Sequence, residues 1–290
     1  MKNEGLITQA YVNTFIKKRE RDIHKGNCGK VLILAGSKGM AGAAVLCARA
    51  ALRTGAGLVR VSVPEELFPI LQIGVPEATC ITRERVFEGL MQYSAIAIGP
   101  GLGDELKNGN LIKKIIYTTD KPVVIDADGL NLLRDDLESM RNAKAKLIIT
   151  PHPGEAAGLT GRNAADINRD RPESARGLAA ATGAITVLKG AGSVVATPEG
   201  KTYINTTGNP GMATGGSGDV LTGVIAALAG QGLSPEDAAT AGVFLHGMAG
   251  DMAAEQTGEY GLIASDIANM VALAIQSILE SREPMENIGI

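Results

Sequence analysis

Asn209-Pro-Gly-Met-Ala-Thr-Gly-Gly-Ser-Gly-Asp219 runs directly into Val220-Leu-Thr-Gly-Val-Ile-Ala-Ala-Leu228. The second half carries no charge and reads as a buried helix. The first half sets glycines at 211, 215, 216 and 218, and one carboxylate, at the mouth of that helix. Unpaired N–H groups at a helix start attract anions, and glycines let a phosphate approach the backbone closely. An acid at the same mouth suits the helix dipole but repels a phosphate. It makes sense there if it takes a proton from a hydroxyl that attacks the phosphate. The plainer reading is a flexible loop with Asp219 as a helix cap, but a cap needs one residue and not a run of glycines.

Working outward, Val- and Ile-rich runs recur with helical stretches between them. Val31–Ala35, Leu58–Val63, Ala95–Ile98, Val123–Asp126 and Lys146–Ile149 read as strands. Ala41–Leu52, Leu106–Tyr117, Leu130–Leu133, Gly154–Leu159 and Asp170–Thr182 read as helices. Apolar strands without polar alternation, separated by helices, predict an α/β fold: a mostly parallel sheet covered on both faces. Ile185–Lys189, Ser193–Thr197 and Lys201–Asn205 then follow closely, with a Pro198-Glu-Gly200 turn, and predict a β-meander at one edge. Helices over Gly218–Ala229, Pro235–Glu255 and Ser265–Ser281 close the chain. No linker or repeat interrupts residues 1–290, so one domain is expected, with residues 1–23 as an N-terminal helix or extension.

Composition narrows the function classes. The chain has 290 residues, and at this size folding buries roughly 75% of the unfolded surface without a staple. Aromatics are 3% with no Trp, which argues against stacking on nucleic acid. A net charge of −3 without a basic run argues against anionic membranes and nucleic acid alike. Cys28, Cys47 and Cys80 lack paired spacing and read as reduced thiols of a cytoplasmic protein. The N-terminus has no apolar signal core, and no apolar run is long enough to span a bilayer.

In an open parallel sheet, ligands bind beyond the carboxyl ends of the strands. Gly36-Ser-Lys-Gly-Met-Ala-Gly-Ala-Ala44 lies at one such end and is not a P-loop, because no Gly-Lys-Ser/Thr closes it. Gly99-Pro-Gly-Leu-Gly-Asp104 lies at another, with glycines on alternate positions. Thr150-Pro-His-Pro-Gly-Glu155 holds His152 and Glu155 on a rigid loop, with Glu155 alternatively a dipole-stabilising acid of a first helical turn. Lys189-Gly-Ala-Gly-Ser193 offers a phosphate or nucleotide contact, or else a hairpin with an exposed lysine. Asp126 and Asp128 could steer a ribose or a metal, and Asp128 could equally cap a helix. His246-Gly-Met-Ala-Gly-Asp251 reads as close helix packing more than as catalysis.

Together these segments resemble the ribokinase-like superfamily and, within it, the NAD(P)H-hydrate dehydratases. The resemblance rests on His24-Lys-Gly26, Ala35-Gly-Ser37, Gly55-Ala-Gly57, Gly99–Gly103, Thr150–Glu155, Lys189-Gly190 and the Asn209–Asp219 stretch. It runs from about His24 to about Val271. The bifunctional form of that family carries an additional N-terminal epimerase domain, so the resemblance is to the stand-alone dehydratase, with a separate epimerase upstream. It implies repair of the S-form of hydrated NADH or NADPH, with ADP in typical bacterial members and ATP in eukaryotic ones. The hydroxyl is phosphorylated and phosphate is then lost; with ADP the products are NAD(P)H, AMP and phosphate.

The resemblance also assigns residues. Asp219 is the general base. Ala44, Gly101 or Gly103, and His152 line the hydrate pocket with Asp219. Lys189, Gly190, Ala191, Gly192, Ser193, Asn209, Gly215, Gly216, Ser217 and Gly218 hold the nucleotide, the glycines presenting N–H groups to the transferred phosphoryl. Glu155 organises Mg²⁺ through its water shell. A homotetramer is the oligomer implied. Two other readings remain open at this point: a small-molecule kinase of the same superfamily, which would release a stable phosphate ester, and a noncatalytic dinucleotide-binding protein, which would need no acid at 219.

Overall fold

A computed structural model describes residues 4–281; residues 1–3 and 282–290, the two ends of the expected domain, lie outside the described residues. The elements begin with β1 (Glu4–Ile7), α1 (Gln9–Val12), β2 (Lys30–Leu34), α2 (Ala41–Arg53) and β3 (Leu58–Ser62). They continue through α3 (Phe68–Gly74), β4 (Thr79–Ile81), β5 (Ala95–Ile98), α4 (Leu106–Thr118) and β6 (Pro122–Ile125). Next come α5 (Asp128–Asn131), α6 (Leu137–Arg141), β7 (Lys146–Ile149), α7 (Pro153–Thr160), α8 (Ala164–Arg169) and α9 (Arg171–Thr182). The last are β8 (Ile185–Leu188), β9 (Val194–Ala196), β10 (Thr202–Asn205), α10 (Ser217–Gly230), α11 (Pro235–Thr257) and α12 (Ala264–Glu280).

One sheet joins all ten strands in the order β1-β10-β9-β8-β7-β6-β5-β2-β3-β4. Only β9 runs antiparallel to its neighbours. The central strands are buried on both faces, as their unbroken apolar runs require. Alternation splits their side chains between two cores: Val31 and Ile33 enter the one beneath α2, α10, α11 and α12, and Leu32 and Leu34 the other.

Two strands escape local reading. Residues 1–23 are expected to be a helix or extension, but Glu4–Ile7 is a strand parallel to β10, and the helix shrinks to Gln9–Val12. Strand β1 therefore completes the edge beyond the meander. Its partner lies almost two hundred residues away, so no local pattern marks it. On the opposite edge, the three-residue β4 pairs with β3 and delivers the chain to Arg83.

Helix starts follow their caps. Asp170 and Ser234 accept the N–H of Glu173 and Asp237, each with proline in the first turn. Helix α10 is buried from Val220 to Gly230, between the sheet and the helices α2 and α11. That burial fixes its N-terminus at the carboxyl ends of the central strands. Among the described residues no helix is long and apolar enough to cross a membrane. Cys28, Cys47 and Cys80 are all free thiols, the first two buried.

Candidate active site

Gly216 is the N-cap of α10, with φ at 90°, a left-handed conformation that glycine alone adopts freely. A Cβ there would also run into Leu46 of α2 and Ala264 of α12. Asp219 is the third residue of the helix and makes no capping hydrogen bond, which removes the plain cap reading. Burial is the main force on its carboxyl and, with Asp126, Asp128 and Glu155 nearby, overrides Lys189 and raises it to about 7. A carboxyl with that value is poised to take a proton at neutral pH.

Lys189, at the end of β8, is not an exposed hairpin lysine. Its ammonium pairs with Asp126, which is 1% exposed, and lies 3.7 Å from Glu155 Oε2. Burial alone would lower the ammonium, but Asp126 and Glu155 hold it above the ordinary lysine range. Asp126 also accepts the Thr222 hydroxyl of α10 at 2.8 Å. The pair thus ties the ends of β6 and β8 to the second turn of α10. A Cβ on Gly218 would stand 3.3 Å from Lys189 Nζ, so glycine there keeps the cation against the helix mouth.

His152 caps α7: its Nδ1 accepts the N–H groups of Gly154 and Glu155 at 2.9 and 3.2 Å. Accepting at Nδ1 places the ring proton on Nε2. Glu155 completes the capping box by accepting the His152 N–H at 2.7 Å, and only 8% of its side chain is exposed. Glu155 therefore sits in a first helical turn, with its carboxylate turned toward Lys189.

A cavity of about 590 Å³ opens beside this cluster. Its wall includes Lys189, Gly190, Ala191, Gly192, Ser193, Asn209, Ser217 and Gly218, brought together from three separate segments. His152 lies in the same wall, on the nucleotide side of the candidate set rather than with the glycine loops. Gly215 and Gly216 lie just outside it, at the entry to α10.

Ala44, Gly101 and Gly103 lie outside that wall, on α2 and on the loop after β5. Ala44 is fully buried on α2 and packs under Gly36. Gly101 abuts Met40 and Ala43, and Gly103 abuts Ser37, so the loops after β2 and β5 touch. Asp128 does not cap α5; Ala127 holds that position, and Asp128 Oδ2 accepts the Gly103 N–H at 2.8 Å.

Several contributors carry no sequence signal of their own. Asp251 of α11 accepts the Gly208 N–H at 2.8 Å and the Asn209 side-chain amide at 2.9 Å, bracing the loop that enters α10. The small residues around it are the available hint, because a Cβ on Gly247 or Gly250 would strike Thr207 or Met212 of that loop. His246 lies in the cavity wall with Nε2 3.4 Å from Ser217 Oγ, and burial above all lowers it to about 4. Ala127 is the one non-glycine with positive φ among the described residues, at 47°. Its turn sends Asp126 toward Lys189 and Asp128 toward Gly103.

Among the described residues no three His, Cys, Asp or Glu side chains are grouped to hold a metal ion directly. With one Glu155 oxygen already accepting the His152 N–H, the donor set suits a Mg²⁺ carried by substrate phosphates and reached through water.

The sequence profile of the NAD(P)H-hydrate dehydratases matches residues 31–272. An ADP-dependent (S)-NAD(P)H-hydrate dehydratase from Neisseria meningitidis is 42% identical over 87% of this chain and 86% of its own length. The chain spans about half the length of its bifunctional curated relatives; it is 42% identical to the NAD(P)H-hydrate repair enzyme Nnr of Moorella thermoacetica over 99% of this chain and 57% of that protein. Among solved structures, an ADP/ATP-dependent NAD(P)H-hydrate dehydratase from Bacillus subtilis, co-crystallised with ATP and Mg²⁺, superposes with a TM-score of 0.86 at 30% identity, covering 96% of this chain and 100% of that one. The fold is the ribokinase-like one. The chain belongs to the NAD(P)H-hydrate dehydratase family.

Proposed function

We propose that this chain dehydrates the S-form of NAD(P)H-hydrate at the expense of a nucleotide, with ADP giving AMP and phosphate. The observation that carries this reading is Asp219: a carboxyl raised to about 7 at the mouth of α10, between the cavity and the paired glycine loops. The nucleotide enters the cavity with its terminal phosphate toward Gly215, Gly216 and Gly218, where N–H groups without intrahelical partners meet it. Lys189, locked by Asp126, supplies fixed positive charge beside it. The hydrate lies against Gly101 and Gly103, and Ala44, buried beneath Gly36, supports that surface without touching it.

Asp219 takes the proton of the ring hydroxyl as its oxygen attacks the terminal phosphorus, and AMP leaves. Hydroxide is a poor leaving group and phosphate a good one, so the ester then expels phosphate. Loss of the neighbouring ring proton restores the double bond. Glu155 is the residue that would hold Mg²⁺ through water, and His152 anchors Glu155 by the capping box. Bound with the nucleotide, Mg²⁺ would neutralise phosphate charge. One domain spanning the chain, a homotetramer and a separate epimerase supplying the S-form complete the reading, in a protein of the cytoplasm.

The test mixes protein, NADPH-hydrate and Mg²⁺ with ADP or ATP and follows the near-ultraviolet absorbance of the reduced nicotinamide, together with free phosphate. Return of that absorbance with stoichiometric phosphate is expected. Absence of recovery with both nucleotides overturns the reading; accumulation of a stable phosphate ester assigns the kinase reading instead.

A further inference from the structure

The geometry points to Arg83 as a positioning residue for the hydrate side of the site: its guanidinium fixes the loops after β2 and β5 in one arrangement and does not act on the nucleotide. The proposal rests on the reading that these loops hold the hydrate.

Arg83 follows the edge strand β4, which is separated from β5 by two strands, yet its side chain reaches across the sheet end. Its Nη2 donates to Gly36 O at 2.6 Å and to Leu102 O at 3.0 Å. Its Nη1 donates to Asn108 Oδ1 at 2.9 Å. Asn108 is 1% exposed and returns its own amide to Leu102 O at 3.1 Å and Gly103 O at 3.3 Å. One planar fork thus joins the Gly36 turn to the Gly99–Gly103 turn, and Asn108 locks the far side.

The arrangement is costly. Arg83 Nε is buried with no acceptor among the described residues. An unmet donor of this kind opposes folding. Burial also draws the guanidinium below its ordinary value, with Glu105, Glu84 and Glu66 nearby to retain the charge. A lysine would carry the same charge but could not span two carbonyls and an amide with a planar fork. None of Gly36, Arg83, Leu102, Gly103 and Asn108 lines the cavity on the nucleotide side. The two turns it joins carry Gly101 and Gly103 and pack on Ser37 and Met40, so a loosened knot changes the hydrate surface alone.

The experiment compares Arg83→Gln and Arg83→Lys with the native protein by steady-state kinetics in both substrates and by calorimetric titration with NADPH and with ADP. Loss of charged hydrogen bonds of this kind is expected to raise the KM for the hydrate and the Kd for NADPH by about ten- to a hundredfold. The KM and Kd for ADP should stay within about twofold, and Arg83→Lys should recover only a minor part of the loss. Parallel weakening of ADP, or unchanged NADPH binding in both variants, overturns the proposal. If Arg83→Gln does not fold, hydrogen exchange on Arg83→Lys decides: faster exchange confined to residues 36–40 and 99–103 supports the knot, and native exchange there refutes it. If the native protein binds NADPH but turns over no hydrate, the functional reading fails while the Arg83 comparison still stands on binding.

Discussion

The two sides of Asp219 are built differently. On the nucleotide side, a buried ion-pair cluster holds the centre, with Lys189 between Asp126 and Glu155, and Asp251 braces the Asn209 loop through one backbone N–H and one side-chain amide. On the glycine-loop side, side chains grip backbone: Asp128 takes the Gly103 N–H, and Arg83 takes the carbonyls of Gly36 and Leu102. The difference fits what each side is proposed to handle. A phosphoryl group in transfer carries concentrated charge and needs fixed counter-charge, whereas a nicotinamide ring needs shape. Asp219 belongs to both, because Lys189 and Asp128 each act on its carboxyl.

The largest effect should come from removing that shared group. Asp219→Asn is expected to lower kcat by about 10² to 10⁴, the usual contribution of a general base, with ADP affinity retained. It should also stabilise the fold. The native carboxyl holds its proton up to about 7, whereas the unfolded chain releases it near the ordinary value of 3.8. Stability therefore falls as pH rises between those values and stays reduced above them. The gain in Tm from Asp219→Asn should be full at pH 8 and gone by about pH 4. Scanning calorimetry at both pH values tests it; a variant that is inactive and equally destabilised at pH 8 would make Asp219 a structural acid.

The next pair probes the nucleotide side. Removing Lys189 leaves Asp126 buried without its partner, at a cost of about 3 to 5 kcal/mol. Lys189→Met should also take away a cation that lowers the Asp219 carboxyl, and so move the acid limb of the kcat/KM profile to higher pH. Asp126→Asn removes a charge that raises that carboxyl and should move the limb to lower pH. Opposite shifts tie both residues to Asp219 electrostatically; shifts in one direction would reduce them to packing. Smaller again, Asp251→Ala should raise the KM for ADP by about tenfold through the loss of its two loop hydrogen bonds, and leave the KM for the hydrate unchanged. It is the mirror of the Arg83 experiment.

The two sides also differ in how far the sequence exposes them. Asp219, Lys189 and the His152 loop are visible because glycines and prolines crowd around them at strand ends, where local chain geometry is the message. The central strands are visible because each is an unbroken apolar run, but their order in the sheet is set by long-range pairing and is not. Arg83, Asn108 and Asp251 are not visible. Each acts on a backbone group, Arg83 and Asp251 across long sequence separations and Asn108 on the turn just before it, and a carbonyl or N–H has the same chemistry in every residue. Strand β1 is hidden likewise, because its ladder among the described residues is to the distant β10. Asp128 shows the limit of local reasoning most clearly: a helix cap is the nearest use for an acid there, yet the side chain turns to Gly103 instead.

That turn is made by Ala127, which makes it the place to ask whether the two sides are independent. At φ 47° and ψ −122° the residue lies where a side chain is unfavourable, and such strain costs on the order of 1 to 3 kcal/mol. It persists because Asp126 is held by Lys189 and Thr222, and Asp128 by Gly103. Ala127→Gly should relieve the strain while adding about 0.5 to 1 kcal/mol of backbone entropy cost, for a net stabilisation of about 1 kcal/mol. The urea midpoint at constant m-value measures it. If the two acids are positioned by their own partners, both KM values stay native. If the strained peptide itself carries the link, ADP and hydrate should weaken together in a variant that is more stable than the parent, and the two sides would then be one device with two grips.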